Sequence, residues 1–79
     1  MSDHVAFVGL GYIGLPTAVV MANSGLQVTG VDVMPEKVDA MNRGEVTIVE
    51  PGLEEELRAA LDTGRFRATT DMPKADAYI

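Results

Sequence analysis

An α/β fold, a parallel sheet with helices on both faces, is what the sequence predicts, and three observations carry the prediction. The apolar run Val5-Ala6-Phe7-Val8 leads straight into Gly9-x-Gly11-x-x-Gly14. An apolar stretch of helical length follows the glycines. A second strand-like run, Gln27–Val33, then carries an acid, Asp32, at its C-terminal end, near the spacing of about 20 residues from the glycines that a Rossmann-like β-turn-α-β unit uses. The chain ends at Asp76-Ala77-Tyr78-Ile79, where a further apolar strand is starting. The sheet is therefore expected to be truncated at the start of strand 4, with residues 1–79 forming the N-terminal part of a Rossmann domain in a longer protein.

Composition narrows the classes. A chain of 79 residues holds one domain at most, and 47% apolar with 23% charged residues is an ordinary globular balance. The net charge of -6 argues against a general nucleic-acid or acidic-membrane surface. A phosphate-bearing ligand stays compatible with it, because a helix terminus supplies local positive potential. With no cysteine there is no disulfide, thiolate metal site or cysteine nucleophile, and one histidine, His4, makes no metal cluster. The sequence has neither an apolar run of membrane-spanning length nor a cationic signal peptide, so the expected location is the cytoplasm.

The elements follow in order. His4–Val8 reads as strand 1, apolar as buried parallel strands tend to be. Helix A is expected from Tyr12 to about Asn23, largely buried, with Pro16 near its first turn and Gly25 as its stop. Gln27–Val33 is strand 2, with Gly30 where a close neighbour needs room. Pro35 opens a short helix B that turns Val38 and Met41 inward and ends at Gly44. Val46–Val49 reads as a short extended piece, and Pro51-Gly52 as a turn. Leu53, Leu57 and Leu61 with Ala60 define helix C, whose first turn carries Glu54, Glu55 and Glu56. Gly64 stops it; Arg65–Thr69 is strand 3, and Thr70-Asp71 is expected to cap a single turn around Pro73–Ala75.

The glycines have separate jobs. Gly9 lets the chain leave the strand in a tight turn, Gly11 lets backbone N–H groups approach a pyrophosphate, and Gly14 lets helix and strand pack closely. The helix N-terminus adds unpaired donors and a positive dipole end. The Asp32 carboxylate suits both hydroxyls of an adenosine ribose and repels a 2′-phosphate, which points to NAD rather than NADP. Its plainer reading is a cap for helix B or simply the end of a strand. Lys37 lies one turn into that helix, near where the ribose would rest, and reads equally as a solvated lysine. Tyr12 either flanks the pyrophosphate or is an exposed loop tyrosine. Glu50 is more simply a loop carboxylate than a substrate contact, Glu54–Glu56 a solvated face, and His4 a strand-edge residue.

Gly9-Leu10-Gly11-Tyr12-Ile13-Gly14-Leu15-Pro16, Val31-Asp32, Asn42-Arg43-Gly44-Glu45 and Ile48-Val49-Glu50-Pro51-Gly52-Leu53 together resemble the N-terminus of the UDP-glucose/GDP-mannose dehydrogenase family. The Asn-Arg-Gly-Glu and Ile-Val-Glu-Pro stretches, with Ala75-Asp76-Ala77-Tyr78, most resemble its UDP-N-acetyl-D-mannosamine dehydrogenase branch. The resemblance implies oxidation of a sugar-nucleotide C6 alcohol to a carboxylate with two NAD⁺, through a thiohemiacetal on a cysteine. It implies Gly9, Gly11, Gly14 and the backbone of Tyr12 and Ile13 at the pyrophosphate, Asp32 at the ribose, and Lys37 beside it. The cysteine, the sugar-nucleotide domain and the dimer-forming helix have no counterpart in these residues, so no catalytic or metal-ligating residue is expected here, while the parent is expected to be a homo-oligomer. Two rivals share the glycines: a β-hydroxyacid dehydrogenase and a nucleotide-sensing domain of a transporter. The 79 residues alone are expected to be marginal and inactive, with strand 1 short of a strand 4 partner and prone to self-association.

Overall fold

The structure, a computed structural model, describes residues 3–9, 11–46 and 50–79, and for 11–13 the backbone alone. The elements are β1 (His4–Val8), α1 (Gly11–Asn23), β2 (Gln27–Val31), α2 (Pro35–Asn42), α3 (Leu53–Asp62), β3 (Phe66–Thr69) and β4 (Ala77–Tyr78). The strands form one sheet of order β3-β2-β1-β4 with every pairing parallel. This is the Rossmann-like arrangement that the alternation of strand and helix predicts.

Strand periodicity decides which residues meet the helices. Val5, Val28 and Phe66 stand in one row across the sheet, and Phe7, Gly30 and Ala68 in another row. Two residues apart along each strand, the rows share a face. That face packs on Ala18, Val19 and Ala22 of α1, Val38 and Met41 of α2, and Leu53, Leu57 and Ala60 of α3 in one cluster. Among the described residues, Phe66, Leu57, Val19 and Val28 are the largest fully buried side chains, each contributing about 1.5–3 kcal/mol by removal from water. The connections from β1 to β2 to β3 step in one direction, and right-handed crossovers then put their helices on the same face. The alternate row, Ala6, Thr29 and Arg67, faces the other way; in a doubly wound sheet that side receives the helices that follow the reversal of strand order.

Several local expectations change. Strand 2 ends at Val31 rather than Val33, because the Asp32 side chain accepts the Met34 N–H and turns the chain. The first helix starts at Gly11, which puts Pro16 in its second turn, where it has no N–H for the Tyr12 carbonyl four residues back. That helix is not buried all round: Leu15, Ala18, Val19 and Ala22 are buried, but Val20 is 59% exposed. No helical turn forms at Pro73–Ala75; Thr69 Oγ1 takes the Asp71 N–H instead, and the Tyr78 hydroxyl bonds Pro73 O and Ala75 N. Strand 1 is not short of a partner. Asp76 N–H donates to His4 O, Ile79 N–H to Ala6 O, and Val8 N–H to Ile79 O, so the last four residues pair along its length. The expected extended piece at Val46–Val49 falls mostly on 47–49, outside the described residues. The three helices do stop at Gly25, Gly44 and Gly64, each with positive φ.

Candidate dinucleotide site

β1 lies between β2 and β4, so the strand order reverses beside it. In open α/β sheets the crevice outside the carboxyl ends of the strands at such a reversal is where ligands bind. Gly9 sits there with φ of 75°, a conformation that costs an L side chain roughly 1–2 kcal/mol. A Cβ at Gly9 would meet nothing within 4 Å, so the turn rather than crowding calls for glycine. Its N–H donates to Val31 O at 2.9 Å. That bond ties the glycine turn to the residue before Asp32.

Helix α1 opens two residues after Gly9, with Gly11, Tyr12, Ile13 and Gly14 as its first four residues. The leading N–H groups of a helix have no partner within it. Its first turn holds no acid, whereas α2 carries Glu36 and α3 carries Glu54, Glu55 and Glu56 there. Those carboxylates already answer the positive dipole ends of α2 and α3; the first turn of α1 supplies no such charge. The side chains of Tyr12 and Ile13, and with them the expectation that Tyr12 flanks a phosphate, lie outside the described residues.

Asp32 lies just past β2 and is half-buried. Its N–H donates to Thr69 O at 3.1 Å. Its Oδ1 accepts the N–H of Met34, the residue that precedes Pro35 at the start of α2, at 3.0 Å. Oδ2 has no protein partner among the described residues. The carboxylate therefore holds the turn that precedes α2 with one oxygen and leaves the other, among the described residues, without a protein partner. Lys37 is exposed and stands on the first turn of α2, with its side chain in no ion pair among the described residues.

Two apolar side chains that sequence reasoning passed over sit next to the acid. Val33 is 87% exposed and Met34 45%. Their signal in the sequence is an apolar pair directly after the acid, where a strand is ending and water is near. The remaining candidates lie elsewhere. His4 is at the opposite end of β1, inside the sheet rather than on an edge, with Nε2 2.7 Å from Thr29 Oγ1 and its N–H on Asp76 Oδ2. Glu50 is exposed and its carbonyl accepts the Leu53 N–H. Glu54 is 3.7 Å from Arg58, four residues on. Among the described residues no three His, Cys, Asp or Glu side chains gather as metal ligands, and no helix is long and apolar enough to cross a membrane.

A parallel sheet, a positive-φ glycine before an acid-free helix start and a half-free carboxylate just past the neighbouring strand define a dinucleotide-binding domain. Residues 3–78 match the UDP-glucose/GDP-mannose dehydrogenase family, NAD binding domain, and the chain belongs to that family. NAD is the cofactor of that domain. Among its relatives, the UDP-N-acetyl-D-mannosamine dehydrogenase of Salmonella typhi is 49% identical over 75 residues, which is 95% of this chain and 18% of the relative. The NDP-N-acetyl-D-galactosaminuronic acid dehydrogenase of Ralstonia nicotianae is also 49% identical over 95% of the chain and 18% of its own length. The solved UDP-N-acetyl-mannosamine dehydrogenase of Staphylococcus aureus superposes with a TM-score of 0.92 at 37% identity, over 96% of this chain and 18% of that one. The chain thus spans about a fifth of the length of the nucleotide-sugar dehydrogenases it matches. Membership of this family sets aside the β-hydroxyacid dehydrogenase and transporter readings.

Proposed function

We propose that this chain is the N-terminal part of the NAD-binding domain of a nucleotide-sugar 6-dehydrogenase. The pyrophosphate lies at the start of α1, against backbone N–H groups of Gly11, Tyr12 and Ile13, with Gly9 and Gly14 shaping the turn and the helix approach. The free oxygen of Asp32 accepts a ribose hydroxyl, Lys37 stands beside that ribose, and exposed Val33 and Met34 offer an apolar surface to adenine. The observation that supports this most is the pairing of an acid-free helix start with a carboxylate that keeps one oxygen unpaired. When bound, NAD⁺ supplies the hydride acceptor; the residues of this chain hold and orient it and reject a 2′-phosphate.

The reaction proposed for the whole protein is the oxidation of a UDP-sugar, UDP-N-acetylmannosamine in the first instance, at C6. One alcohol, one water and two NAD⁺ give one carboxylate, two NADH and three protons. The names of relatives in Salmonella typhi and Staphylococcus aureus support that substrate. The protein is proposed to work in the cytoplasm, as a homo-oligomer, without nucleic acid or membrane. The test is an activity screen of the complete protein with NAD⁺ against UDP- and GDP-sugars, followed as NADH absorbance. UDP-N-acetylmannosamine should yield two NADH per sugar. Turnover confined to a GDP-sugar would overturn the substrate, and no NADH from any sugar would overturn the reaction.

A further inference from the structure

In the sheet of order β3-β2-β1-β4 that the described residues form, one outer edge is β3. Val28 N–H donates to Arg65 O and Asp32 N–H to Thr69 O, so Arg65 and Thr69 turn their carbonyls toward β2. The alternation of a parallel ladder then turns the N–H and C=O of Phe66 and Ala68 outward. An unpaired edge of this kind is a template for a strand from another chain. Here the outward groups of Ala68 are already taken. The Asn42 side chain donates from Nδ2 to Ala68 O and accepts the Ala68 N–H at Oδ1, both at 2.9 Å. A primary amide carries one donor face and one acceptor, the same pair a neighbouring strand would present.

The placement of Asn42 is fixed on both sides. It is the last residue of α2, whose Val38 and Met41 are buried in the core. The next residues turn away through Gly44, which is buried at φ of 80° under the stem of Arg58. Arg58 Nε donates to Gly44 O at 3.3 Å. The helix end is thus held from below by the core and from behind by α3.

We infer that Asn42 is a one-residue surrogate strand that blocks the outer edge of the sheet at Ala68 against strand addition by a second copy of this chain. The pairing is independent of the cofactor. A β3 of four residues leaves two outward positions, Phe66 and Ala68, and Asn42 occupies the one nearer the candidate site.

The test uses the whole protein and its Asn42→Ala and Asn42→Asp variants. Hydrogen exchange at the Ala68 amide and sedimentation against concentration are the readouts. In Asn42→Ala the Ala68 amide should exchange about two- to tenfold faster, the loss expected for one partly buried bond. Val28 and Gly30, paired inside the sheet, should keep their protection, and association should rise with concentration. In Asn42→Asp the acceptor stays and the donor is lost, so Ala68 should exchange more slowly than in Asn42→Ala while association still rises. Unchanged exchange at Ala68 would overturn the inference. So would an equal loss of protection at Val28, Gly30 and Ala68, which would make Asn42 a general stabiliser. A faster Ala68 with no association at any concentration would overturn the guarding role.

Discussion

Replacing Asp32 by Asn separates the two tasks of that side chain. Asn keeps an oxygen for the Met34 N–H, so the 3.0 Å bond in the turn before α2 survives. What changes is the second oxygen, which becomes an NH₂ group, and the loss of the negative charge. A hydrogen bond to a charged group is worth about 1.5–3 kcal/mol, against roughly 0.5–1.5 for a neutral one. The difference, on the order of 1–1.5 kcal/mol, corresponds to about five- to fifteenfold weaker NAD⁺ binding by the complete protein. NADP⁺ should bind no more weakly than before, because its 2′-phosphate no longer meets a carboxylate, so the preference between the cofactors should shrink from both sides. Calorimetric titration of each cofactor measures this directly, with a urea melt as control. Asp32→Ala should weaken NAD⁺ similarly and also lose stability by about 1 kcal/mol, since it removes the Met34 partner. Unchanged affinity of Asp32→Asn for both cofactors, with an unchanged melt, would refute the reasoning and leave the residue only its part in the turn before α2.

Three further outcomes are expected. Gly44→Ala should destabilise more than Gly64→Ala: both glycines have φ near 80°, but a Cβ on Gly44 would stand 2.7 Å from Arg58 Cγ while one on Gly64 meets nothing within 4 Å. Urea unfolding with and without Arg58→Ala checks it, because removing that stem should bring the two costs together. Leu57→Ala, at a fully buried position of α3, should cost about 2–5 kcal/mol in the same assay; a loss under 1 kcal/mol would contradict the packing of α3 on the sheet. The carboxyl of Glu45 is held below its ordinary range by a hydrogen bond from Arg43 and by that residue's charge. A depressed folded-state value means that the pair's contribution is present above the ordinary carboxylate range and is lost as pH falls through the folded value. NMR titration should show the low midpoint, returned to the ordinary range in Arg43→Ala; the pair is exposed, so high salt should erase most of the shift.

Much of the fold was legible because its signals are local. The apolar run before Gly9, the four-residue leucine spacing of α3 and the glycine stops each report on a few neighbouring residues. Gly9 is the clearest case, since a tight turn out of a strand demands a conformation that few other residues adopt. The acid was legible by spacing, and its structural reading holds: one oxygen takes the Met34 N–H as the strand ends. What stayed hidden depends on distant partners. The length of β2 turned on one side-chain bond from Asp32 to Met34. The exposure of Val20 depends on which side of α1 meets α3 and the sheet, which composition does not reveal. The amide of Asn42 meets a strand 26 residues away, and no pattern in the chain announces that contact.

The proposed pyrophosphate sits against the amides at the start of α1, with Asp32, just past β2, beside it. Backbone amide shifts of the complete protein, recorded as NAD⁺ is added, test it most directly. The largest changes should fall on Gly9 through Gly14 and on Asp32, with the amides at the start of α3, Leu53 to Glu55, left unmoved. Quiet amides at Gly11 to Gly14 under saturating NAD⁺ would contradict the claim.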